Sequence, residues 1–210
     1  MFGIHDLPLF VISGLLLNIM PGPDSLLIMT RSATQGWRAG VAAVMGICTG
    51  TMVHVMAAAL GLSAILSTSA AAFMVVKYVG AAYILYMAIA LLRSKRLDTA
   101  TAIVVPPLPY RHIFAQGLLT NVLNPKVALF FLAFVPQFID AGAVNKPLAF
   151  VILGCIFNFN GMLWSAGLAL FTGMASARLK VSPAASLWLK RVTGGLFVWL
   201  GIKLALSKQH

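Results

Sequence analysis

Apolar residues fill six stretches of this chain with few interruptions, at roughly 7–30, 39–62, 71–92, 113–136, 147–172 and 187–207, and polar residues gather between them. Each stretch has about 21–26 residues, the length an α-helix needs to cross a bilayer. The pattern predicts an all-α polytopic membrane protein of about six transmembrane helices. Connections are short. The longest runs from Arg93 to about His112 and contains Pro106-Pro107-Leu108-Pro109, an extended segment. It divides one membrane domain, 1–210, into a first three-helix repeat (1–97), a connecting loop (98–112) and a second three-helix repeat (113–210). The last span has the shortest uncharged centre, because Lys190, Arg191 and Lys203 flank it and must snorkel to the interfaces. Spans two and three are joined without charge, through Ser67-Thr68-Ser69.

Composition agrees with this pattern. The 210 residues are 60% hydrophobic and 9% charged, with a mean hydropathy of +0.96, which excludes a water-soluble domain. The net charge of +11 comes from 15 Lys+Arg against 4 Asp+Glu. These basic residues sit mostly in short connections, with no basic stripe interleaved with aromatics, so nucleic-acid binding is rejected. The 1–2, 3–4 and 5–6 connections and the start of span six hold most of them, from Arg31 and Arg38 to Lys190 and Arg191. The other side holds Lys77, Lys146, Lys203 and Lys208. The positive-inside bias puts the first set in the cytoplasm and both termini outside. The first apolar run has no preceding Lys or Arg and no cleavage site after it, so it reads as a retained span. Cys48 and Cys155 fall in apolar runs and read as packing residues. The spacing Gly36/Gly40 and Gly46/Gly50 permits close helix contact around span two and leaves a homo-oligomer open.

Two ionisable residues stand out inside the apolar stretches: Asp24 in Pro21-Gly22-Pro23-Asp24 and Lys126 in Asn124-Pro125-Lys126. Charges at that depth cost several kcal/mol unless paired or hydrated, and mark solute or proton pathways. The segments around them align. Leu17-Asn18-Ile19-Met20-Pro21-Gly22-Pro23-Asp24 overlays Thr120-Asn121-Val122-Leu123-Asn124-Pro125-Lys126 with one gap, and each lies in the first span of its half. A half of three spans re-enters from the opposite side, so the halves form an inverted repeat, an architecture whose sites lie at broken helices near the midplane. Pro23 and Pro125 suit the first turn of a second short helix, with Asp24 or Asn124 as its cap. Exposed N–H groups there favour a carboxylate.

An amino acid carries an ammonium and a carboxylate on one carbon. Asp24 and the half-helix ends around Lys126 offer the complementary pair, with Asn18 and Asn121 one turn before the breaks and Asn158 and Asn160 in span five as further candidates. Two plainer explanations stand beside this one: spans ended early by proline, and a structural Asp24–Lys126 ion pair. His54 reads first as a hydrogen-bonded packing histidine and second as a proton relay. A metal site is disfavoured, since hard cations need several oxygen anions and the chain has no Glu. No nucleophile elbow, zinc-protease motif or phosphate loop is present, so no catalytic residue, metal or cofactor is assigned. A cation exchanger or a channel of similar architecture remains the alternative.

In combination and order, Pro21-Gly22-Pro23, Gln35-Gly36-Trp37-Arg38-Ala39-Gly40 leading into Gly46 and Gly50, and Asn121-Val122-Leu123-Asn124-Pro125-Lys126 make the whole chain resemble the lysine exporter/homoserine–threonine resistance (LysE/RhtB) family of bacterial amino-acid exporters. The resemblance implies a bacterial inner-membrane protein that expels an amino acid or a close derivative using the proton gradient. It does not imply which substrate.

Overall fold

The computed structural model describes residues 3–62, 106–140 and 142–175 continuously, with isolated positions between Met74 and Arg93 and between Arg191 and Ile202. Most of spans three and six, the Ser67-Thr68-Ser69 turn and residues 98–105 of the connecting loop lie outside the described residues. Lys77, Lys190, Lys203 and Lys208 lie outside them too.

The protein is all-α and polytopic, and both broken helices expected from proline are present. Helix α1 (Leu7–Ile19) and α2 (Pro23–Gln35) bend by 52° at their junction; α4 (Tyr110–Val122) and α5 (Pro125–Leu129), which continues through a π-helical turn and a 3-10 turn to Phe138, bend by 47°. The cause is local. A residue before proline is pushed out of the helical region, and Met20 (ψ 122°), Gly22 (φ −156°, ψ −174°) and Asn124 (φ −77°, ψ 107°) are all extended. Pro23 and Pro125 then open the next helix, where a missing N–H leaves no bond unmade.

Two further helices run unbroken. Helix α3 (Trp37–Ala57) continues through a π-helical turn to Leu62, 26 residues in all, and α6 (Lys146–Ala175) has 30 residues. At 1.5 Å per residue they extend about 39 and 45 Å, enough to span a bilayer. Gly36 makes the reversal from α2 to α3 at φ 82°, a left-handed conformation that favours glycine. A Cβ on Gly46 would collide with the Phe114 carbonyl, and one on Gly117 with that of Ala43. Helices α3 and α4 thus touch backbone to backbone. The small-residue spacing seen in the sequence is used within the chain, with Gly40 against Ser32 and Ala169.

The broken spans run in opposite directions. At one end an antiparallel bridge joins Ile4 to Ile139, with His5 N–H donating to the Phe138 carbonyl (3.1 Å) and Asp140 N–H to that of Gly3 (2.8 Å). That contact pins the start of the first broken span to the end of the second, the antiparallel arrangement an inverted repeat requires. Outward-facing Leu26, Leu60, Leu119, Leu123, Phe159 and Phe171 are exposed, which suits lipid. Inside are two apolar clusters. One is built on Phe10, Phe130, Phe131, Phe134, Phe138 and Phe157, and the other on Ile28, Ala43, Val44, Ile47 and Ile113. In a bilayer such surface gains little by burial, so close packing and interhelical hydrogen bonds carry the specificity.

Candidate functional site

The two breaks lean on each other. Lys126, second residue of α5, is buried, and its Nζ donates to the carbonyls of Leu17 (3.2 Å) and Met20 (3.3 Å). Those carbonyls belong to the end of α1, where the break has removed their helical partners and the helix dipole is negative. The ammonium therefore caps α1 from another span. Gly22 leaves room for it, since a Cβ there would lie 3.3 Å from Nζ.

Asp24 stands in the first turn of α2. Its Oδ2 accepts from Asn121 Nδ2 (2.9 Å) and Asn124 Nδ2 (3.1 Å), the two asparagines of the second break. Asn124 also caps α5, its Oδ1 accepting from the Lys126 backbone N–H (3.0 Å). Thr51 Oγ1 donates to Asn121 Oδ1 (3.3 Å), and the His54 ring meets the Asn121 carbonyl (3.1 Å) while stacking on Phe131. Asp24 and Lys126 thus share Asn124 as a bridge, and among the described residues no direct ion pair joins them.

A cavity of about 30 Å³ lies at this junction, lined by Leu17, Asn18, Asp24, Ser25, Ile47, Cys48, Thr51, Asn121, Lys126, Val127, Phe157, Asn158, Gly161 and Ser165. That is room for about two water molecules and none for an amino-acid side chain. The site is closed. Among the described residues, two buried polar atoms of its walls have no hydrogen-bond partner: Asp24 Oδ1 and Asn18 Nδ2. One is an acceptor with negative charge and the other a donor.

Of the residues singled out from sequence, Asn18, Asp24, Asn121, Lys126 and Asn158 line the cavity together. Asn124 does not line it but donates to Asp24, and Pro21, Gly22, Pro23 and Pro125 form the breaks. His54 and Asn160 do not line it. One local expectation changes. Gly22, not Asp24, is the N-cap of α2, because Asp24 falls within the helix and turns to the asparagines. Lys126 spends two of its three N–H groups on backbone carbonyls. Sequence reasoning singled out Asn158 but passed over Ser25, Thr51 and, on the same face of α6 as Asn158, Gly161 and Ser165. The i, i+3, i+7 spacing from Asn158 was the available signal. No group of three or more His, Cys, Asp or Glu able to hold a metal occurs among the described residues.

Residues 15–208 match the family described as LysE type translocator. The chain belongs to the LysE type translocator family. It is 32% identical over 212 residues to an uncharacterized membrane protein of Pseudomonas aeruginosa, covering 97% of this chain and 96% of the relative. It is 31% identical over 213 residues to the uncharacterized membrane protein YrhP of Bacillus subtilis, covering 97% and 100%. A leucine efflux protein of Enterobacter sp. (strain 638) is 26% identical over 204 residues, covering 97% of each. No solved structure matches the chain. The part that marks it as a LysE type translocator includes both breaks and every cavity-lining residue, so the family match and the polar junction fall on the same stretch of chain.

Proposed function

We propose that this chain is a secondary transporter that exports an amino acid, with leucine or a similar apolar amino acid as substrate, across the bacterial inner membrane. The observation that carries the reading is the small cavity at the crossing of the two breaks, with a free carboxylate oxygen and a free amide N–H on its walls. An α-amino acid presents the matching ammonium and carboxylate. Apolar lining from Leu17, Ile47, Val127 and Phe157 suits a hydrocarbon side chain once the cavity widens. Support also comes from the translocator family and from the relatives named leucine efflux proteins.

In this reading Asp24 receives the substrate ammonium and a proton in turn, so that the proton gradient drives uphill export. Lys126 holds the end of α1 and fixes the shape of the first break. The halves 1–97 and 113–210 act as inverted repeats that rock about the junction, with both termini outside the cytoplasm. Partners are the amino acid, protons and lipid.

Proteoliposomes loaded with leucine and with a panel of other amino acids test this. Accumulation against a leucine gradient when a pH gradient is imposed is expected. Flux that only runs downhill, whatever the pH gradient, would mean a channel and overturn the reading.

A further inference from the structure

Arg31 lies seven residues beyond Asp24 on α2, about 10 Å along the helix, toward the end of the bundle where α2 turns into α3 and α4 begins. It is an arginine only 5% exposed. One terminal nitrogen donates to Gln35 Oε1 (3.2 Å) and to the Pro106 carbonyl (3.1 Å), the other to Gln116 Oε1 (2.9 Å), and Nε is buried with no partner. Every one of these acceptors is neutral. The described acids are engaged elsewhere, Asp24 by Asn121 and Asn124, and Asp6 and Asp140 beside His5. Among the described residues no anion faces this buried guanidinium, and a buried charge without one is costly. Its planar fork fits a carboxylate in two parallel bonds, each about twice as strong as a bond to a neutral oxygen.

What now occupies the fork is displaceable. Pro106 belongs to the segment Pro106-Pro107-Leu108-Pro109, in which only Leu108 has a backbone N–H. Gln35 clasps that one residue on both sides: Gln35 Nε2 donates to the Leu108 carbonyl (3.0 Å) and Leu108 N–H donates to Gln35 Oε1 (3.0 Å). The segment is thus held to α2 by one glutamine and one arginine.

We propose that Arg31, positioned by Gln116, is a carboxylate-binding site separate from the cavity at the breaks, and that the segment 106–109, clasped by Gln35, masks it in this conformation. The transport reading supplies only the ligand, the carboxylate of the exported amino acid on its way to Asp24. A carboxylate arriving at Arg31 replaces the Pro106 carbonyl and Gln35 Oε1. That exchange frees the clasp, so substrate arrival and opening of this end are one event.

Binding to the purified full-length protein, measured with leucine, leucinamide and 4-methylpentanoate, tests the site. The first and third carry the carboxylate and the second lacks it. Leucinamide is expected to bind about tenfold more weakly than leucine. Arg31→Gln should bring leucine and 4-methylpentanoate down to the leucinamide level, and Arg31→Lys, which keeps the charge, should restore part of the difference. Gln35→Leu should act in the opposite direction, tightening both carboxylates about threefold to tenfold, because it loosens the mask and spares the guanidinium. Arg31→Gln and Gln35→Leu weakening all three probes alike would mean a packing role and overturn the proposal, as would failure of Gln35→Leu to bind either carboxylate. Arg31-dependent binding of 4-methylpentanoate without any preference for amino acids would uphold this site while removing the amino-acid reading of the central cavity.

Discussion

The two breaks are built from similar strings and solve the same problem in opposite ways. In the second, the chain satisfies itself. Leu123 N–H donates to the Leu119 carbonyl, Asn124 N–H to that of Asn121, and the Asn124 side chain caps the helix that follows. In the first, the N-cap is Gly22, which has no side chain to offer, and the carbonyls of Leu17 and Met20 wait for a donor that arrives from Lys126. The first break supplies acceptors, two carbonyls and the Asp24 carboxylate. The second supplies donors, two amides and an ammonium. In lipid no water relieves an exposed backbone group, so the first break keeps its shape only while the second is docked against it. In the rocking proposed for the halves this contact is made and unmade, and the dependence runs one way.

The largest test of that asymmetry is Lys126→Met. It keeps the length and removes both charge-assisted bonds to α1, at about 3 kcal/mol or more. Uphill leucine efflux from proteoliposomes should fall about 100-fold or further, and thermal unfolding of the purified protein should shift down. Wild-type efflux from correctly inserted Lys126→Met would end the idea that the first break depends on the second.

Asp24→Asn comes next. It preserves shape and leaves the α1 cap untouched, so the loss should be confined to ammonium binding and coupling. Exchange of leucine down its gradient should persist at lower affinity, about tenfold weaker, while response to an imposed pH gradient disappears. Retained pH-driven accumulation would pass the proton to another group, His54 being the neighbour that touches Asn121. Loss of leucine binding as well would assign Asp24 to the ammonium alone.

Asn124→Ala cuts inside the self-sufficient break. It removes the α5 cap and one of two donors to Asp24, and about 1–2 kcal/mol of stability is expected to go with them. The drop should be smaller than for Lys126→Met, and thermal denaturation of both variants side by side reads the order. Reversed order would make the second break the dependent one.

Most of this junction was legible in the sequence because its parts are anomalies there. A carboxylate and an ammonium inside apolar stretches, each next to prolines, have few explanations, and Asn18 and Asn121 follow by alignment. The unbroken spans were legible from length alone: 39–62 and 147–172 became helices at 37–62 and 146–175. The cavity's other walls were hidden for a physical reason. Thr51, Ser25 and Ser165 are small polar residues of a type common in membrane helices, and which way they face depends on crossings set by Gly46 and Gly117, not by their own neighbours. Arg31 was hidden by its position. At the end of a span an arginine reads as an interfacial charge, and only the return of residues 106–109 and Gln116 onto α2 shows it buried.

The smallest predicted effect isolates how closely the breaks touch. Gly22 has φ −156°, extended backbone that any residue adopts, so glycine is not required there by conformation. What an alanine would meet is Lys126 Nζ at 3.3 Å and the Met20 carbonyl at 3.9 Å. The first is tight, but it is the free end of a flexible side chain and can move a few tenths of an ångström. Gly22→Ala is therefore expected to cost under about 1 kcal/mol in stability and to slow efflux about twofold to threefold, by lengthening the bonds from Nζ to Leu17 and Met20. The mutant should resemble a mild Lys126→Met, with the same ranking of lost efflux over lost stability. An effect as large as that of Lys126→Met would mean that the ammonium has no slack, and that the two breaks close on each other as a rigid unit. No effect at all would mean that Nζ relocates freely, and that the carbonyls of α1 have a second source of donors.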